Sequence, residues 1–177
     1  QVDYVDNDGY VFAPSLTWLP TDTTTVTLLL NSQADSGAVS AQFLPSQGTL
    51  EPAPLGDIGS ETFVGEPDWD RYDRKKDEVT LFLDQRLSGQ WGVSATARYT
   101  ETEVEIREHW AAIGAAPAPD GTIGRVISTT DNGTEILNFD ARPEGDVALG
   151  PTRHNLAIGL DRQDALWTED NVARGAG

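Results

Sequence analysis

Apolar and polar residues alternate along much of the chain with a period of two, the spacing of a strand with one wetted and one apolar face. Helical spacing is weak throughout. The pattern predicts a first strand over about Tyr10–Leu19, "YVFAPSLTWL", and a second over about Thr24–Gln33, "TTVTLLLNSQ". Between them "PTDT" reads as a tight turn, because Pro20 fixes its φ and Asp22 can bond its own backbone. A second hairpin follows, about Glu78–Leu87, then "SGQ", then a long strand from Trp91 to Trp110. A third pairs a strand within Arg125–Leu149, interrupted at Pro143, with one over about His154–Trp167, joined at "GPTR". Three hairpins, about 10–33, 78–110 and 125–167, thus follow one another in a single unit spanning residues 1–177.

The connections sort by length. Those inside the hairpins are tight, and those between them, about 34–76 and 111–124, are long and rich in Gly and Pro. In an up-and-down sheet, alternate connections lie on the same side. One rim therefore carries tight turns and the other long loops, the asymmetry of outer-membrane barrels. The fold expected is all-β: an antiparallel up-and-down meander of about six strands, an open segment of a transmembrane β-barrel.

The faces agree. Trp91, Val93, Ala95, Ala97 and Tyr99 share one side of the fourth strand, and Gly92, Ser94, Thr96, Arg98 and Thr100 the other. Leu156, Ile158 and Leu160 oppose Asn155, Ala157, Gly159 and Asp161 in the sixth. A soluble sandwich alternates in the same way, so a secreted acidic β-sandwich serving binding or adhesion stands as the competing architecture. Burial of Leu156, Ile158 and Leu160 beneath a second sheet would favour the sandwich; an exposed apolar band on one curved sheet would favour the barrel. Aromatics near strand ends, Tyr10, Trp18, Trp91, Tyr99 and Trp167, are the candidates for girdles at the two membrane interfaces.

Charge and composition narrow the function. Twelve Lys and Arg stand against 29 Asp and Glu, a formal charge of −17 over 177 residues. No basic surface exists to neutralise phosphates, which argues against nucleic acid. There is no Cys, so disulfides, thiolate metal sites and Cys nucleophiles are excluded. No apolar run is long enough for a membrane helix and no leader is visible. A start at Gln1 and an end at "VARGAG" read as a piece of a longer protein.

No catalytic constellation is legible. "DNDG" at 6–9 and "DNG" at 131–133 lack the acidic residue a calcium loop needs at its first position, and read as turns. "NGT" at 132–134 fits a glycosylation acceptor only nominally. His109 and His154 are far apart, and no nucleophile elbow, phosphate loop or zinc spacing is present. The expectation is a protein without catalytic residues, resident metal or cofactor.

Four collinear motifs then carry a resemblance. "GYVFAPSLTWLPTDTTTVTLLLNSQAD", residues 9–35, resembles a strand-turn-strand segment of the TonB-dependent siderophore receptors. "FLPSQGTL" followed by "FVGEPDWDRYDR" resembles their extracellular loop. "GQWGVSATARYTETE" is similar to one of their barrel strands, and "LGPTRHNLAIGLDRQ" to a hairpin in which an aromatic often stands where this chain has Arg162. The resemblance implies an outer-membrane importer of ferric siderophores with lipid around its wall. It also implies a plug, not seen in this stretch, worked by a TonB-type energy transducer. A vitamin, saccharide or other chelate is the alternative cargo. Loop candidates for the cargo are Phe43, Phe63, Trp69 and Tyr72, with Arg71 and Arg74 able to face an anionic chelate. On this reading "FVGEPDWDRYDRKKDE" is the descending end of the extracellular loop, re-entering the wall at Val79.

Overall fold

A computed structural model of the chain describes residues 3–38 and 43–176. Strands β1 (Asn7–Phe12), β2 (Ser15–Thr21), β3 (Thr24–Gly37), β4 (Arg71–Ser88), β5 (Trp91–Ala111), β6 (Arg125–Leu149), β7 (Thr152–Ala157) and β8 (Leu160–Ala176) form one antiparallel sheet. No helix among the described residues is long and apolar enough to cross a membrane, which leaves open crossing by strands.

The eight segments are six strands of a meander. β1 and β2 pair with β3 in one register that shifts only between Trp18 and Thr21: Phe12 faces Ser32 and Ser15 faces Leu29. The gap between them holds Pro14, which has no N–H for the ladder, while its carbonyl still accepts from the Leu30 amide at 3.0 Å. β7 and β8 likewise share one register against β6, with Glu144 facing Ala157 and Ala141 facing Leu160. Their gap lies opposite Pro143, whose carbonyl accepts from the Ile158 amide at 3.1 Å. The interruption expected at Pro143 therefore falls on the neighbouring strand, and β6 itself runs unbroken over 25 residues.

The strands are longer than the apolar pattern predicts, and this moves the long loop. β3 continues to Gly37 and β4 begins at Arg71, so the connection is 38–70 and not 34–76. The chain re-enters the wall at Arg71, not Val79. Polar side chains obscured this, because the ladder is made by backbone groups and needs no apolar pattern. Cross-strand ion pairs also support it: Arg74 Nε and Nη2 donate to Asp35 Oδ2 at 3.0 and 2.6 Å. The last strand runs to Ala176, beyond the expected Trp167.

Register assigns every side chain to a face, since directly opposed residues of an antiparallel pair point the same way. One face carries Leu16 and Trp18, then Val26, Leu28 and Leu30, then Val79, Leu81 and Leu83. The same face continues with Val93, Ala95, Ala97 and Tyr99, then Leu137, Phe139 and Ala141, then Leu156 and Leu160. The other face of these rows is mostly polar or small, with Thr25, Thr27, Thr80, Ser94, Thr96, Arg98 and Asn138, and carries Leu29 and Phe82 among them.

Leu156, Ile158 and Leu160 are 46, 73 and 66 % exposed, and no second sheet exists among the described residues to cover them. The sandwich architecture fails on this observation. Among the described residues Ala111 and Pro45 are the buried apolar side chains. A sheet with so little core holds its shape by its ladder and by whatever medium meets its apolar face.

Candidate functional site

The apolar belt ends along one ladder row. Leu30, Val79, Tyr99 and Leu137 are successive partners across β3–β6, and two residues further toward the long loops stand Ser32, Asp77, Glu101 and Glu135. Beyond that line the same face is charged. Lys75 meets Asp77 at 3.1 Å, and Arg107 meets Glu105 and Asp131 at 2.9 and 3.0 Å. At about 3.3 Å per residue, the 25 residues of β6 reach roughly 80 Å. A membrane crossing needs only about 9–11 residues, so the upper half of the wall stands clear of the belt. β8 departs from the line: Arg162 and Asp164 lie beside Phe139 and Leu137 and pair with each other at 2.8 Å.

The candidate aromatics divide by face. Tyr10, Trp18, Trp91 and Tyr99 fall on the same face as the belt, Trp18 and Trp91 at its tight-turn end, Tyr99 in its last row, and Tyr10 beyond it in the charged row of Ala34 and Lys75. Trp167 does not. It opposes Thr134, which opposes Thr102, on the polar face. Its expected place in a membrane girdle is thereby corrected. The alternation along β8 had already put it out of phase with Leu160.

The cargo candidates scatter. Arg71, Tyr72 and Arg74 are strand residues, not loop residues. Tyr72 and Arg74 lie on the polar face, opposite Ile106 and Val104, whereas Arg71 lies on the charged outer face, bonded to Glu105. Arg74 lines an open concavity of about 540 Å³ with Asp35, Glu103, Glu105 and Asp131, its own charge already held by Asp35. On the loop, Phe43 is exposed, Phe63 meets the Tyr4 ring at 5.9 Å, and Trp69 packs edge-on against the His109 ring at 4.7 Å. Phe63 and Trp69 are thus engaged in loop packing, and the structure does not bring the six candidates into one site.

What the sequence did not reveal is how the loop is fastened. Asp70 and His109 are both buried. Asp70 Oδ1 lies 2.7 Å from His109 Nδ1, and Asp70 Oδ2 accepts from the His109 backbone N–H at 3.1 Å. Beside them Arg125 donates to the carbonyls of Val64 and Gly65 at 3.2 and 3.3 Å and pairs with Glu66. The Arg125 guanidinium holds the Glu66 carboxyl below its ordinary range. Burial pushes the neighbouring Glu108 carboxyl up, and the negative charge of Asp70 adds to this. The two long loops also touch. Leu55 Cδ1 lies 2.8 Å from where a Cβ on Gly121 would stand, and Gly121 has φ +87°, a conformation that favours glycine. Asp70, His109 and Arg125 share no sequence motif, so only the fold joins them. No group of three or more His, Asp or Glu side chains among the described residues is placed to hold a metal ion.

No family model matches the chain. Curated relatives do. A ferrioxamine B receptor of Salmonella typhimurium is 32 % identical over 157 residues, 89 % of this chain and 22 % of that protein. The ferrichrome outer membrane transporter/phage receptor of Escherichia coli is 24 % identical over 171 residues, 88 % of this chain and 23 % of that one. In fold, P. aeruginosa FpvA bound to heterologous pyoverdines superposes over 96 % of this chain and 22 % of its own, with a TM-score of 0.81 at 17 % identity. The chain therefore spans between a fifth and a quarter of the length of the relatives it matches. The belt, the sorted loops and these relatives agree: the chain belongs to the TonB-dependent siderophore receptors of the outer membrane and corresponds to a stretch of their β-barrel wall.

Proposed function

We propose that this chain serves as wall and loop in a receptor that binds ferric siderophores outside the cell and imports them across the outer membrane. One observation carries the reading: an exposed apolar belt that ends on a single ladder row, below a charged wall fastened to long loops, in a chain whose relatives are siderophore receptors. The belt, Leu28, Leu81, Ala97 and Phe139 in one row, would face lipid, which removes the desolvation problem that exposed leucines pose in water. The polar face would line the lumen. Iron enters as cargo within its chelate, not as a resident cofactor, and the wall has no catalytic part in this scheme. Opening would depend on a plug pulled by a TonB-type transducer. Metal chelates other than siderophores are a second reading, because a metal-pseudopaline receptor of Pseudomonas aeruginosa is 28 % identical over 164 residues.

The test is uptake by the full-length receptor in a host stripped of its own siderophore receptors. Radioactive iron presented as ferrioxamine B, ferrichrome or pyoverdine should accumulate only when the receptor and an active transducer are both present. Accumulation of none of the three would refute siderophore import, and accumulation of a metal–pseudopaline chelate alone would favour the second reading.

A further inference from the structure

We infer that the outer wall carries a seat for one glycolipid: an apolar hollow at the upper edge of the belt takes an acyl chain, and an acid-lined hollow above it takes a sugar headgroup that bears hydroxyls and no phosphate. The inference rests on the belt facing lipid and not on which chelate is imported. The lower hollow, about 310 Å³, lies among Phe12, Leu30, Ser32, Asp77, Val79 and Tyr99. Register puts these six side chains on the outer face, with Phe12, Ser32 and Asp77 in one row and Leu30, Val79 and Tyr99 in the row below. Ser32 is small between Phe12 and Asp77, which opens the recess, and its hydroxyl donates to Asp77 at 2.7 Å. Leu30, Val79 and Tyr99 are 38, 44 and 40 % exposed on strands paired along both sides, so the opening belongs to the face and not to an edge of the sheet.

The upper hollow is the concavity of about 540 Å³ that Arg74 borders. Its other carboxylates fall in the next two rows of the same outer face: Glu103 in line with Ala34 and Gly133, then Asp73, Glu105 and Asp131. The two hollows are centred about four residues apart along the strands, about 13 Å, within the span of one lipid from chain to headgroup. Continuity selects a lipid, because the lower hollow is a recess in the belt itself. Charge selects its headgroup. Asp77, Glu101 and Glu135 form the first charged row over β4–β6, and with the four carboxylates above them seven stand against Lys75. Arg71 and Arg107, one row higher, reach only Asp73, Glu105 and Asp131. Such a surface repels a phosphate and offers acceptors alone. Sugar hydroxyls are donors that meet it without a counter-charge, and hydrogen bonds to carboxylates are among the stronger ones.

The experiment extracts full-length receptor from vesicles holding equal amounts of three lipids with identical chains: a monohexosyl diacylglycerol, phosphatidylglycerol and phosphatidylcholine. A chelator removes divalent cations, and native mass spectrometry reads which lipid stays bound. Wild type should keep the glycolipid over phosphatidylglycerol by about tenfold or more. Val79→Phe fills the lower hollow with an apolar ring and should abolish the preference. Glu103→Lys, which lies above the belt and tests the seat independently of Val79→Phe, should turn the preference toward phosphatidylglycerol. Equal retention of the three lipids by wild type overturns the seat, as does an unchanged preference in Glu103→Lys or in folded Val79→Phe. A wild-type preference for either phospholipid, with the chelator or only after magnesium is added, overturns the assigned headgroup. A spin label at Ala97 closed to oxygen in the same vesicles overturns lipid contact by this face and the seat with it, whereas failure of iron uptake alone overturns import and leaves the seat standing.

Discussion

Replacing Leu81 by Arg tests the belt at its centre. Leu81 lies between Leu28 and Ala97, and its own ring of neighbours continues to Phe139. It is 43 % exposed in a chain without lipid. If that exposed surface meets hydrocarbon, an Arg there costs about 2–4 kcal/mol at the bilayer midplane. At about 1.4 kcal/mol per tenfold, the folding equilibrium in vesicles falls by roughly 30- to 700-fold. In water the same change at a half-exposed strand position stays within about 0.5 kcal/mol. The two environments therefore predict outcomes that do not overlap. Folding of the full-length receptor into lipid vesicles can be followed through denaturant unfolding or heat-modifiable gel mobility. Thr102→Arg, on the polar face above the belt, supplies the matched control and should stay near wild type. A Leu81→Arg receptor as stable in vesicles as the control would refute lipid contact by this face.

Three further outcomes follow from the loop fastening and the packing. Asp70→Ala leaves the His109 amide and ring without their acceptor, which should cost about 1–3 kcal/mol locally and show as faster proteolysis within the 43–70 loop, with Asp70→Asn milder. Gly145→Ala should destabilise the β5–β6 pairing by about 1–3 kcal/mol, because its Cβ would stand 2.3 Å from Trp91 Cδ2 and 2.6 Å from the Gln90 carbonyl; denaturant unfolding measures it. Glu108 binds its proton more readily folded than unfolded, so its contribution is fully present below its ordinary value of 4.5 and is lost as pH rises through its raised folded value. Hydrogen exchange of the β5 end should therefore slow as pH falls across that window, after correction for intrinsic rates, and Glu108→Gln should remove that part of the dependence.

Strand count, hairpin order and the sorting of loops were legible because a period-two pattern repeats wherever one face is apolar, as along Val93–Tyr99. Strand ends were not legible, because above the belt β4 is polar on both faces. There the pattern of Arg71–Asp77 carries no period although its backbone is fully paired with β3 and β5. The candidate site suffered for the same reason: Arg71, Tyr72 and Arg74 read as loop, and their true faces follow only from register. Trp167 was misassigned by composition, since an aromatic near a strand end suits a girdle, although its odd spacing from Leu160 already set it on the other side. The Asp70–His109 clamp joins residues 39 apart with no motif between them, and only the β4–β5 pairing brings them together.

The most direct measurement is a spin-label scan of β5. The chain has no Cys, so single cysteines from Val93 to Arg107 can be labelled in the full-length receptor once any Cys outside this stretch is replaced. In vesicles, labels at Val93, Ala95, Ala97 and Tyr99 should be accessible to oxygen and closed to a water-soluble nickel complex, with Ser94, Thr96 and Arg98 showing the reverse. Beyond Glu101 the oxygen preference should vanish from both faces. Accessibility without alternation, or alternation that persists unchanged through Glu103 and Glu105, would contradict a lipid belt that ends at Tyr99.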